Sequence, residues 1–151
     1  MWNIKEQILT ASNNLGMQVS ILTSEKKTEV ISRVMNRFVK KGETHLFPIF
    51  EKLDDFVGID VSESWMWISD FINDNTAILF FNDDDEKELY EFQKGKDIVS
   101  ILNEIYNVEF YVTNSRTEYL LGYNHSQCLV ASGTAIEWLE NHKGYKERYN
   151  K

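Results

Sequence analysis

The chain has one cysteine and one proline in 151 residues. A lone Cys128 cannot close an internal disulfide, so the fold rests on packing alone and nothing suggests an oxidising compartment. With only seven glycines beside the single Pro48, the composition excludes a low-complexity or disordered chain. No apolar run approaches the roughly 18 residues that a membrane-spanning helix needs. Lys5 and Glu6 follow Met1 closely with no long apolar stretch behind them, so no signal peptide is expected and the expected location is cytoplasmic. Histidine is scarce as well. His45, His125 and His142 stand far apart, which leaves no local zinc-binding spacing. Gly42, Gly58, Gly95 and Gly122 are isolated, so no glycine loop is present to cradle a phosphate. Ser132-Gly133 lacks the surroundings of a nucleophile elbow, and Ser132 reads instead as a helix cap. No cofactor and no metal are implied.

The composition that remains is globular, with 42% apolar and 13% aromatic residues. The length suits one domain with a real core. Net charge is −8, which disfavours nucleic acid and anionic membranes as partners. Its distribution is uneven: residues 1–42 carry +4, 43–91 carry −12, 92–142 carry −3 and 143–151 carry +3. Like charges crowded into the middle third repel, and a bound basic partner would relieve that repulsion. A solvated acidic face that serves only solubility is the alternative.

Apolar periodicity predicts an α+β domain spanning residues 1–151. N-terminal amphipathic helices should pack on an antiparallel sheet of about five to six strands with a C-terminal three-strand meander and a final helix. Ile4, Ile8, Ala11 and Leu15 recur at helical spacing within Trp2–Leu15, with Gly16 as the stop. Val30, Ile31, Val34, Met35 and Phe38 repeat every three or four residues behind Ser24 as cap, with Lys40, Lys41 and Gly42 at the end. Leu46–Phe50, with its proline, reads as an edge strand or a loop. Trp65–Ile68 fits a helix or a strand, and the Asn73-Asp74-Asn75 turn before Thr76–Phe81 favours a strand. Glu88–Phe92 alternates as a further strand, and a helix opening at Gly95 places Ile98, Ile101, Leu102 and Ile105 on one face. Val108–Val112, Thr117–Tyr123 and Gln127–Ala131 lie in close order, as a meander requires. Thr134 and Glu137 are spaced as a capping box for a last helix over Ser132–Asn141.

The chemical candidates are few. His125 and Cys128 lie three apart, but in a turn followed by a strand their side chains need not meet. Asn82–Glu86 resembles a calcium loop only in its acidity, because Glu88 and Lys94 occupy the sixth and twelfth positions where glycine and glutamate are needed. Asp85-Glu86-Lys87 has the D-x-K spacing of some nuclease sites, in a region acidic enough to repel such a substrate. Asp54 and Asp55, near Asp60 and Glu63, could be a general acid–base pair only if one sat in a cleft with a raised pKa. Trp65 and Trp67 would share one face of a strand. Projecting outward beside acidic residues, they would resemble a protein-binding hot spot.

The stretch Trp65–Gly133 resembles small bacterial immunity proteins of polymorphic toxin systems. Carrying the resemblance are Ala77-Ile78-Leu79-Phe80-Phe81, Glu109-Phe110-Tyr111-Val112, Tyr119-Leu120-Leu121, Asn124-His125 and Leu129–Gly133. It implies a non-enzymatic inhibitor that masks a basic toxin with an acidic surface, an arrangement that mainly speeds association and selects partners. The expected contacts are Asp83, Asp84, Asp85, Glu86 and Glu88, then Asp54 and Asp55, with Trp65 and Trp67 as aromatic anchors. The alternatives are a small hydrolase or nuclease with an unrecognised site, or a structural or regulatory module.

Overall fold

The computed structural model describes residues 3–105 and 108–149. Helix α1 (Ile4–Asn14) starts at Asn3, whose side chain accepts a hydrogen bond from the Glu6 N–H at 2.8 Å. Trp2, the expected first residue of this helix, lies outside the described residues. Strand β1 (Val19–Ile21) leads into α2 (Ser24–Phe38), which buries Val30, Val34 and Phe38 along one stripe. Its cap is Thr23 and not Ser24, and Val39 is already extended, so Lys40 and Lys41 fall beyond the helix. A loop through Pro48 and a single 3₁₀ turn, Phe50–Lys52, leads to β2 (Val57–Ile59).

The chain continues through α3 (Ile68–Ile72), β3 (Ala77–Phe81), β4 (Tyr90–Phe92) and α4 (Asp97–Leu102). It ends with β5 (Phe110–Thr113), β6 (Tyr119–Tyr123), β7 (Leu129–Gly133), α5 (Ala135–Asn141) and α6 (Lys143–Tyr149). The seven strands form one antiparallel sheet in the order β1-β4-β3-β5-β6-β7-β2. The α+β architecture and the C-terminal meander expected from the sequence are both present. The two short edge strands, β1 and β2, raise the strand number above the expected five to six.

Period-two alternation sorts the sheet into two cores. Leu79, Phe81, Tyr90, Phe92, Val112, Leu121 and Leu129 face α1, α3, α4 and α5. Ile78, Phe80, Tyr111, Leu120 and Val130 face α2 and the loop carrying Leu46, Ile49 and Leu53. Strand β3 is buried at all five positions, which explains why Ala77–Phe81 reads as a continuous apolar run and not as an alternation. Each large apolar side chain buried this way stabilises by about 1.5–3 kcal/mol, so the central strands dominate the core.

Three expectations are corrected. Trp65–Ile68 is not a strand. Ser64–Trp67 forms a 3₁₀ turn running directly into α3, because Ile68 and Ile72 must reach the same core. Met66 consequently stands half exposed while Ile68 is fully buried. Ser132 is not a helix cap: it lies buried within β7 and donates to the Asp55 carbonyl at 2.9 Å. Thr134 is in helical conformation and its side chain makes no capping hydrogen bond, so the capping box does not form. Helix α5 ends at His142, whose backbone is extended, and α6 follows as a separate helix. Gly133 closes β7 at φ +66°, where a Cβ would stand 2.4 Å from the Glu118 carbonyl oxygen.

Candidate functional site

Strand register defines the two ends of the sheet. Phe81 faces Phe110, Phe110 faces Tyr123, Tyr123 faces Leu129 and Leu129 faces Ile59. The connections that leave these residues therefore gather at one end. Segments 60–63, 82–89 and 104–109 contribute two, five and two carboxylates there, against the single lysine Lys87. At the other end, segments 54–56, 73–76, 93–97 and 114–118 set Asp54, Asp55, Asp74, Asp97 and Glu118 against Lys94, Lys96 and Arg116, a smaller excess. The acidity is thus polarised along the strand direction.

A hydrogen-bonded network ties the acidic end together. Asn82 leaves β3 and donates from Nδ2 to Glu109 Oε1 at 3.0 Å, while its Oδ1 accepts from the Tyr111 hydroxyl. The amide orientation is dictated, since an ionised carboxylate only accepts. The Tyr111 hydroxyl also accepts from the Ile49 N–H at 3.3 Å. Glu109 Oε2 takes both the His125 backbone N–H and the ring Nδ1, each at 3.0 Å. Burial raises the Glu109 pKa, but the hydrogen bonds from His125 and Asn82 and the charge of His125 outweigh it. The carboxyl is held below its ordinary range.

In the β3–β4 turn, Glu86 accepts from the Glu88 N–H at 2.9 Å and the Tyr90 hydroxyl at 3.0 Å, so its charge has a structural role. Burial, then the charge of Glu86, pushes the Tyr90 hydroxyl well above its ordinary pKa. Asp83, Asp84 and Asp85 are exposed, and no salt bridge among the described residues involves them. Asp60 differs: Arg148 of α6 grips it with Nε at 3.1 Å and a second nitrogen at 3.3 Å. That hydrogen bond and the Arg148 charge lower the Asp60 pKa.

Beside this network the described residues line a cleft of about 270 Å³, open to solvent, with Trp65, Phe110, Tyr123 and His125 among its walls. Tyr123 is fixed by donating its hydroxyl to the Ser62 carbonyl. Trp65 comes from the 3₁₀ turn, Phe110 from β5 and His125 from the β6–β7 turn.

The expected contact residues are only partly assembled. Asp83, Asp84, Asp85, Glu86 and Glu88 share the acidic turn, and Trp65 lies at the same end of the sheet. Asp54 and Asp55 sit at the opposite end, where the Asp54 N–H donates to the Phe38 carbonyl and Asp55 meets Ser132. Trp65 and Trp67 do not project outward as a pair. Trp67 stacks on His142 at 4.4 Å between ring centres, and both indoles are half-buried against the core. His125 turns to Glu109 and not to Cys128, whose thiol lies 3.7 Å from the Ser126 carbonyl. Burial, then the charge of Asp60, raises the Cys128 pKa, the opposite of what a thiolate nucleophile needs. No serine, threonine or cysteine side chain among the described residues hydrogen-bonds the His125 imidazole, and no three acidic, histidine or cysteine residues converge as metal ligands. Among the described residues no helix is long and apolar enough to cross a membrane.

Sequence reasoning missed the cleft and the Asn82–Glu109–His125 network. The cleft draws on segments near residues 65, 102–110 and 123–127, and no local spacing joins them. The sole sequence signal was the Asn124-His125 turn. No family model matches the chain, and no curated protein or solved structure matches it either.

Proposed function

We propose that this protein is a non-enzymatic binding protein that covers a basic partner with the acidic end of its sheet, acting as an immunity-type inhibitor of a cationic bacterial toxin. The observation that carries this reading is the turn bearing Asp83, Asp84 and Asp85, exposed and without ion pairs among the described residues, at the end where carboxylates concentrate. Three adjacent unneutralised carboxylates repel one another, and lysine or arginine side chains of a partner would relieve that repulsion through charge-assisted hydrogen bonds. Such complementarity raises the association rate and disfavours acidic competitors. Asp54 and Asp55, at the opposite end, fall outside this contact surface, and Trp67, stacked in the core, is a supporting residue and not an anchor.

The test is binding to the purified basic protein encoded beside this chain's gene, measured by calorimetry at about 50 and 200 mM salt. We expect affinity to fall with salt, and D83K combined with D85K to weaken binding at least about tenfold, mostly through the association rate. Unchanged affinity and salt dependence in the double variant would remove the acidic turn from the contact surface.

A further inference from the structure

We infer that the cleft walled by Trp65, Phe110 and Tyr123 is a receptor for one arginine side chain of the partner. The inference deepens the proposed reading, because it rests on the acidic end being the docking surface and specifies which cation enters and where. Size is the first argument. Ligand pockets commonly run from about 300 to 1,000 Å³, so an open cleft of about 270 Å³ has room for one long side chain.

Chemistry is the second argument. An indole and a phenol ring form two of the walls, and such faces attract a flat, weakly hydrated guanidinium more strongly than a compact ammonium. Charge is the third. The Glu109 carboxylate holds the His125 ring that lines the cleft, so an acidic group stands directly behind that wall. Glu63 completes the setting, since its charge is felt at Tyr123, the ring hydrogen-bonded to the neighbouring Ser62 carbonyl.

The experiment uses three pentapeptide amides: five lysines, the same peptide with a central arginine, and the same with a central phenylalanine. The full chain is titrated with each while the indole N–H of Trp65 and the backbone signals of His125 and Gln127 are followed by NMR. The arginine and all-lysine peptides carry equal charge, so a preference accompanied by shifts at Trp65 and His125 reports the cleft. We expect the arginine peptide to bind about five- to tenfold more tightly, with the largest shifts at Trp65 and His125. Q127R, which adds an arginine to an exposed wall position, should abolish that preference without disturbing the core.

Equal binding of the arginine and lysine peptides, with shifts confined to residues 83–88, would overturn the arginine receptor and leave the acidic surface standing. Binding by none of the peptides would overturn both. Tightest binding of the phenylalanine peptide would reassign the cleft to an apolar anchor, and an undiminished arginine preference in Q127R would place the guanidinium elsewhere.

Discussion

Replacing Asn82 with alanine removes the side chain that joins β3 to β5 at the acidic end. Two bonds disappear. The Tyr111 hydroxyl, on a residue with 0% exposure, loses its acceptor, and Glu109 loses one of its donors. An unpaired buried hydroxyl costs about 1–3 kcal/mol. Water can replace part of the second bond, because the Glu109 side chain retains 17% exposure, so that loss falls below the usual charged range of about 1.5–3 kcal/mol, at about 1 kcal/mol. Together these give about 2–4 kcal/mol, or a fall in Tm of about 4–16 °C for a chain of this length. Urea unfolding at pH 7 measures it directly, and Y111F supplies a double-mutant cycle. With the hydroxyl already gone, Asn82→Ala should cost only its Glu109 contribution, so the two substitutions should couple by about 1 kcal/mol or more. A loss below about 0.5 kcal/mol, or strict additivity, would show that the network is not a unit.

Two further outcomes are expected. Because folding lowers the Glu109 pKa, its contribution to stability is fully present above the unfolded-state value of a glutamate and is lost as pH falls through the lower folded-state value. Glu109→Gln should therefore reduce stability at pH 7 and flatten its decline in the acid range, and an NMR titration placing the Glu109 pKa at or above that of a free glutamate would contradict this. Gly133→Ala forces a left-handed residue and brings a Cβ to 2.4 Å from the Glu118 carbonyl oxygen, so it should cost about 2–4 kcal/mol in thermal unfolding. A Tm within a degree of the parent would refute the constraint.

How much was legible depended on whether the signal was local. The stripe of Val30, Val34 and Phe38 announces α2 because each helical turn repeats the pattern. The meander is legible because its strands follow one another through short polar turns. Strand β2 was missed: three residues with a central glycine, Val57–Ile59, carry too little period to register, and their partner lies far along the chain. Trp65–Ile68 was misread because four apolar residues satisfy either geometry, and only the core positions of Ile68 and Ile72 decide between them. Ser132 and Thr134 look like caps in isolation, yet β7 continues to Gly133 and the helix starts without one. The acidic turn was visible as composition, but its separation from Asp54 and Asp55 follows from strand direction. The cleft depends wholly on tertiary register.

The strand order also bears on synthesis. Both edges of the sheet are made early and the centre late: β2 pairs with β7 through Ile59–Leu129 and Val57–Ala131, some seventy residues downstream. At about 5–20 residues per second on the ribosome, β2 emerges on the order of 4–15 seconds before its only partner. During that interval its backbone donors and acceptors have no partner strand in the nascent chain, because β7 alone supplies it. The far edge of the sheet is therefore completed by the last strand translated, and a ribosome stalled before residue 129 releases a product whose β2 has no partner strand.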